Sequence, residues 1–89
     1  MIKIYSTNWC PSCTWAKKLL DEKKINYEEI NIEQINMSRN DLQSLTGGST
    51  VPQIVINGKS IGGYEDLIKL NKNGKLQSLI EEWNLYRIK

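Results

Sequence analysis

The chain predicts an α/β fold, a small mixed sheet with helices on both faces. Three observations lead there. Periodic apolar segments alternate in the order strand, helix, strand, helix, strand, strand, helix, helix. Cys10 and Cys13 stand where the first strand hands over to the first helix. Asn57-Gly58 separates two short strand-like runs, the strongest short hairpin signal. The 89 residues suit one domain, spanning 1–89, whose core can form without disulfide staples.

Each element has its own reason. Ile2-Lys3-Ile4-Tyr5-Ser6 reads as a strand, too apolar for an exposed edge and therefore central. A helix follows from about Pro11 to Lys24. Pro11 takes the first helical position, where a missing N–H costs nothing. Ala16, Leu19 and Leu20 recur at helical spacing, while Lys17, Lys18, Lys23 and Lys24 keep the far side polar and, near the C-terminal end, complement the dipole. Trp15 is either core or a wall of the site; because Ala16, Leu19 and Leu20 already define the core face, it is expected to be partly exposed. Residues 27–32 alternate in polarity as a half-buried outer strand does, and the helical crossover makes the pair parallel and right-handed. Ser38, with Asp41 three residues on, reads as an N-cap with a capping box; that helix runs through Leu42 and Leu45 to Gly47-Gly48. Residues 51–56 form the third strand, with Pro52 near its start because proline cannot donate to a ladder. Lys59-Ser60-Ile61 returns antiparallel. After Gly62-Gly63 a helix begins near Tyr64-Glu65-Asp66 and fades at 71–74. A last amphipathic helix uses Leu76, Leu79, Ile80 and Trp83, and residues 86–89 are a tail outside the pattern.

Composition narrows the function classes. A net charge of +2 is too small to imply nucleic-acid or membrane binding. No apolar run approaches membrane-spanning length. Met1-Ile2-Lys3-Ile4-Tyr5 enters a strand at once, so no secretory signal is expected. Only two cysteines, both in a reactive spacing, suit a reducing cytosol, and a cytoplasmic location is expected.

Trp9-Cys10-Pro11-Ser12-Cys13 carries the chemistry. With Cys10 near the N-cap, first-turn amides point back at its sulfur, and the positive end of the helix dipole favours a thiolate there. The thiolate is the reacting form in disulfide exchange. A structural zinc needs four ligands, and the chain has no His and no third Cys, so no metal is expected. A purely structural disulfide would close a very short loop, where cross-linking stabilises least. A Cys-x-x-Cys pair in this α/β context is a thioredoxin-like redox signature.

Cys10-Pro11-Ser12-Cys13, Thr50-Val51-Pro52 and Gly62-Gly63-Tyr64-Glu65-Asp66, in this order and at these separations, resemble the glutaredoxin family over nearly the whole chain. The resemblance implies a thioredoxin fold with sheet order 2-1-3-4, a cis peptide before Pro52 and a glutathione groove beside Cys10. Cys10, the more exposed thiol, is then the nucleophile, and Cys13, one turn inside, resolves. Val51 main-chain groups beside Pro52 pair with a peptide-like substrate. Thr50, Val51, Pro52, Gly63, Tyr64, Glu65 and Asp66 form the groove. Gly62-Gly63 permits close approach of a ligand. Amides at Tyr64 and Glu65 face a carboxylate, and Asp66 accepts from an ammonium group or serves the helix dipole.

Two departures from the family matter. Ser12 stands where many dithiol members have Tyr, and Thr7 where Lys is common three residues before the nucleophile. Lys17, Arg39 and Gln43 are the candidate replacements for that cation. Trp9 is more reminiscent of thioredoxins. The resemblance implies a monomeric thiol–disulfide oxidoreductase acting with glutathione on disulfide-containing or glutathionylated proteins. One alternative is an electron donor, for example to ribonucleotide reductase, recycled by thioredoxin reductase. Another is a [2Fe–2S] carrier in which two chains share a cluster through Cys10 and external glutathione; such clusters need four thiolate ligands, and Pro11 argues against it.

Overall fold

The computed structural model describes residues 1–88, with side chains through residue 81. In chain order the elements are β1 (Ile2–Ser6), α1 (Pro11–Glu22), β2 (Glu28–Asn31), α2 (Arg39–Thr46), β3 (Gln53–Ile56), β4 (Lys59–Gly62), α3 (Tyr64–Lys72) and α4 (Lys75–Ile88). The sheet order is β2-β1-β3-β4. β1 pairs parallel with β2, in the register Ile4 to Glu29, and antiparallel with β3, in the register Ile4 to Ile54. β1 is therefore central and β2 an outer strand, as their polarity patterns require.

Period-two alternation along β1 divides the interior. Ile2 and Ile4 point to one face, where Ala16 and Leu20 of α1, Ile54 and Ile56 of β3, Leu67 of α3 and Leu76 of α4 complete the larger core. Tyr5 points to the other face and packs with Ile32 and Leu42 beneath α2. The larger core seats α1, and with it the two cysteines, over the carboxyl end of β1.

Boundaries of four elements differ from the sequence reading. α1 stops at Glu22, two residues early, so Lys23 and Lys24 lie past its end. Lys24 adopts a left-handed backbone (φ 58°) and the Ile25 N–H donates to the Leu20 carbonyl, closing the helix with no glycine to announce it. β2 spans only Glu28–Asn31; Tyr27 and Ile32 flank it, the Ile32 N–H still donating to the Ser6 carbonyl at 2.9 Å, and both pack inward, against the larger and the smaller core respectively. β3 begins at Gln53 because Thr50-Val51-Pro52 leaves the ladder as a loop. At the far end, residues 86–88 continue α4, since no glycine or proline interrupts the run from Lys75. Leu76, Leu79 and Ile80 face the core as expected; the Trp83 side chain and Lys89 lie outside the described residues.

Ser38 Oγ accepts from the Asp41 N–H at 3.0 Å, and the Asp41 carboxylate accepts from the Ser38 N–H at 3.2 Å, completing the capping box of α2. Asn57 and Gly58 both take positive φ, 53° and 83°, the primed turn geometry that joins twisted strands.

An ion pair ties α1 to the outer strand. Lys17 Nζ lies 2.9 Å from Glu29 Oε2, which also accepts from the buried Ser6 hydroxyl at 2.8 Å. The Lys17 bond above all, with help from Ser6 and against partial burial, holds the Glu29 carboxyl below its ordinary value of 4.5. A carboxyl whose value falls on folding stabilises the fold above its unfolded value, and that contribution is lost as pH drops through the lowered one. Lys17→Met should therefore lower the melting temperature at neutral pH, with the deficit shrinking as pH is taken below 4.5. A deficit that does not change with pH would assign the effect to packing of the lysine stem instead.

Candidate dithiol site and groove

Cys10 and Cys13 are disulfide-bonded, with Cα atoms 5.2 Å apart. Cys10 is the N-cap of α1, in extended backbone (φ −154°, ψ 95°), and Pro11 begins the helix. The Cys13 N–H donates to Cys10 Sγ at 3.1 Å, and the Thr14 N–H donates to the Cys10 carbonyl at 3.1 Å. The same first-turn amide would stabilise negative charge on Cys10 once the pair is reduced. Cys10 is half-buried, whereas Cys13 keeps only 2% of its surface. The two sulfurs thus differ in access and in charge stabilisation, which lets one react with an outside partner while the other waits.

The loop preceding the pair is tied down. Asn8 donates its backbone N–H to Glu33 Oε1 at 3.0 Å, and its side-chain carbonyl accepts from Asn31 at 2.7 Å. Thr7 Oγ donates to the Trp9 carbonyl. Trp9, 87% exposed, projects from this loop beside Cys10.

A groove of about 840 Å³ is lined by Thr50, Val51, Pro52, Gly63, Tyr64, Glu65 and Asp66, and reaches the motif through Ser12; Trp9, Cys10, Pro11 and Cys13 do not line it. The Val51–Pro52 peptide is cis and Pro52 is buried, as the resemblance implied. Gly62 has φ +106°, and a Cβ there would run into the Asp66 carboxylate. Its glycine is accounted for by this internal contact. A Cβ on Gly63 would meet the Pro52 carbonyl at only 3.5 Å, an ordinary contact. Asp66 Oδ2 accepts from the Gly63 N–H at 3.0 Å, which caps the start of α3.

None of the three candidate replacements for a cation at position 7 lines the groove. Lys17 is held by Glu29, Arg39 donates to the Ser49 carbonyl at 3.0 Å, and Gln43 stands exposed on α2.

The sequence leaves Trp15 between core and site wall, with partial exposure expected, and passes over Thr46, Gly48 and Gln53. Trp15, 53% exposed, lines the groove and meets the Tyr64 ring at 5.9 Å. Thr46, Gly48 and Gln53 brace the loop that carries Pro52. Thr46 Oγ accepts from the Gly48 N–H and donates to the Leu42 carbonyl at 2.8 Å. The Gln53 amide, 5% exposed, donates to the Thr50 carbonyl at 2.9 Å. A buried glutamine opening an apolar strand was the available signal.

The sheet order and the pair at the first strand-to-helix junction define a thioredoxin-fold dithiol protein. The glutaredoxin family model matches residues 2–61. The chain is 40% identical over 79 residues to a glutaredoxin of Pseudomonas aeruginosa, covering 89% of this chain and 94% of the relative. It is 36% identical over 80 residues to glutaredoxin 3 of Escherichia coli strain K12, covering 90% and 96%. Its fold is similar to that of a buckwheat glutaredoxin–glutathione complex, with a TM-score of 0.83 at 30% identity, covering 91% of this chain and 76% of that one. The chain belongs to the glutaredoxin family, proteins of the thiol–disulfide oxidoreductase kind.

An ideal Cβ on Gly48 would stand 2.5 Å from Gln53 Nε2. Because Gln53 is buried and bonded to Thr50, it cannot yield without breaking that bond. Gly48→Ala should cost about 1 kcal/mol, read from a urea unfolding curve. It should also weaken disulfide-substrate reduction by loosening the Thr50–Pro52 loop. Unchanged stability and kinetics would mean that Gln53 has a second, equally good seat.

Proposed function

We propose that this protein is a dithiol glutaredoxin of the Cys-Pro-Ser-Cys type that reduces protein disulfides and glutathione mixed disulfides. Cys10 at the α1 N-cap, with an amide on its sulfur and the more buried Cys13 one turn behind, is the observation that carries the reading. The Cys10 thiolate attacks one sulfur of a substrate disulfide, forms a Cys10–substrate bond and expels the other half as a thiolate, which takes a proton from solvent. Cys13 then attacks the Cys10 sulfur, releasing the second substrate thiol and closing the Cys10–Cys13 disulfide.

Glutathione restores the dithiol. One thiolate opens the pair to a Cys10–glutathione mixed disulfide; a second removes the glutathionyl group, leaving oxidised glutathione and both thiols reduced. Val51 main-chain groups pair with the peptide-like ligand, the α3 amides at Tyr64 and Glu65 take a carboxylate, and the second Asp66 oxygen takes the ammonium group. The glutathione bound by the buckwheat neighbour supports this assignment. We place the protein in the cytoplasm as a monomer formed by one domain.

The absence of Lys or Arg from the groove lining, among the described residues, favours a second reading. With no cation for a glutathione carboxylate, recycling would fall to thioredoxin reductase, the protein then serving as an electron donor.

The deciding experiment follows NADPH consumption with glutathione and glutathione reductase, against thioredoxin reductase in parallel. The first reading expects turnover in the glutathione arm; turnover with thioredoxin reductase alone selects the second. Cys10→Ser should reduce all activity to background. Cys13→Ser should lose protein-disulfide reduction but keep cleavage of glutathione mixed disulfides, which needs one thiol. The reverse pattern would exchange the two roles. Thr7→Lys should lower the Cys10 pKa and tighten glutathione binding, since a nearby cation stabilises both anions. Thiolate absorbance titration checks the first effect, and an unmoved curve would refute it.

A further inference from the structure

We propose that the Trp15–Tyr64–Glu65 wall of the groove selects disulfides flanked by a basic residue, whose cationic side chain lies between the ring pair and the Glu65 carboxylate. This names a substrate class for the dithiol reading above and rests on it.

The wall is assembled from two helices. Trp15 on α1 and Tyr64 on α3 bring their rings to 5.9 Å at an angle of 50°, and both line the groove. Even so, Trp15 leaves 53% of its surface open. A ring pair that served only to join two helices would be expected to bury more of the larger ring. Glu65, one residue beyond Tyr64, is exposed and lines the same groove, and its carboxylate makes no hydrogen bond or ion pair among the described residues. Asp66 is committed through one oxygen to Gly63.

No Lys or Arg among the described residues balances these two carboxylates within the lining. Lys17 is paired with Glu29, and Arg39 is turned to the Ser49 carbonyl. Lys59, Lys69 and Lys75 share a neighbouring cavity with Asp66, so the negative charge presented beside the ring pair is that of Glu65. An aromatic face attracts a cation, and an adjacent carboxylate adds to that attraction. An acidic flank would meet like charge, so discrimination comes from repulsion as well as attraction. Clefts lined by one sign of charge also raise the encounter rate of the opposite sign.

The step is ordinary dithiol exchange. Reduced Cys10 and Cys13 become the disulfide, and one peptide disulfide becomes two peptide thiols. Two electrons and two protons pass to the peptide halves, so a single turnover needs no external reductant.

The test uses the full chain, fully reduced, without glutathione. Three peptide disulfides, alike except for Lys, Gln or Glu beside each half-cystine, are reduced in single-turnover stopped flow. The Lys-flanked peptide is expected to react roughly tenfold faster than the Glu-flanked one at low salt. The ratio should shrink as salt is raised, because exposed charges are screened. Within each variant the same ratio is read: Glu65→Gln should reduce it, Glu65→Lys should invert it, and Trp15→Leu should reduce it. Circular dichroism melts check that each variant folds, and the salt series on the unmodified chain needs no variant. Equal rates for the three peptides would overturn the proposal while leaving the dithiol reading intact. A ratio untouched by Glu65→Lys would overturn it as well. Failure to reduce any of the three would remove the dithiol reading and this proposal together.

Discussion

A helix that begins where a buried strand ends places its unsatisfied amides and the positive end of its dipole at one point in space. Here that point is occupied by sulfur. Cys10 accepts the Cys13 N–H where an oxygen-bearing cap residue would usually stand. Everything else serves to hold that junction in place. Ile2 and Ile4 bury β1, Ala16 and Leu20 seat α1 on it, and Asn8 locks the intervening loop to Glu33 and Asn31. A shift of α1 along its axis would change both the amide contact on Cys10 and the burial of Cys13, so core packing and thiol chemistry are coupled through one element.

The groove is built chiefly by polar groups satisfying one another. Thr46 and Gln53 anchor the two ends of the loop that carries Pro52, and Asp66 caps α3 through Gly63. Such bonds give a ligand-facing surface its shape without a large apolar interior beneath it. They also explain why Gly48 and Gly62 are glycines: each leaves room for a side chain of the protein itself, Gln53 and Asp66 respectively. Small residues along a groove invite a ligand-based explanation, and here the internal one is sufficient for both.

The groove lining carries Glu65 and Asp66 but no Lys or Arg among the described residues. Two basic residues that could have served the site are engaged in other tasks, Lys17 bracing β2 and Arg39 the loop at Ser49. What remains along the groove is an aromatic pair and two carboxylates. Dithiol exchange itself requires neither, since its electronic demands are met at the α1 N-terminus. The lining is therefore free to govern which disulfides arrive there.

The order of the elements, the capping box at Ser38, the Asn57-Gly58 turn and the position of the cysteine pair were all legible in the sequence. Each depends on local chemistry: side-chain period, a hydroxyl within reach of an amide, backbone tolerance of positive φ, and the pairing of a strand end with a helix start. The landmarks at 50–52 and 62–66 were legible as a resemblance, and the structure brings them to one groove. Other features depended on contacts between residues far apart in the chain. The early end of α1 at Glu22 depends on Lys24 turning left-handed so that Ile25 can reach Leu20 and the core. Lys17 could not be excluded as a groove cation until β2 brought Glu29 against it, twelve residues away. The partial exposure of Trp15 was legible, but its ring partner was not, because Tyr64 stands on another helix. Local sequence determined which elements form and where the reactive sulfurs sit. Tertiary packing alone decided which charges remain free to face a substrate, because an ion pair exists only once both partners have been brought within reach.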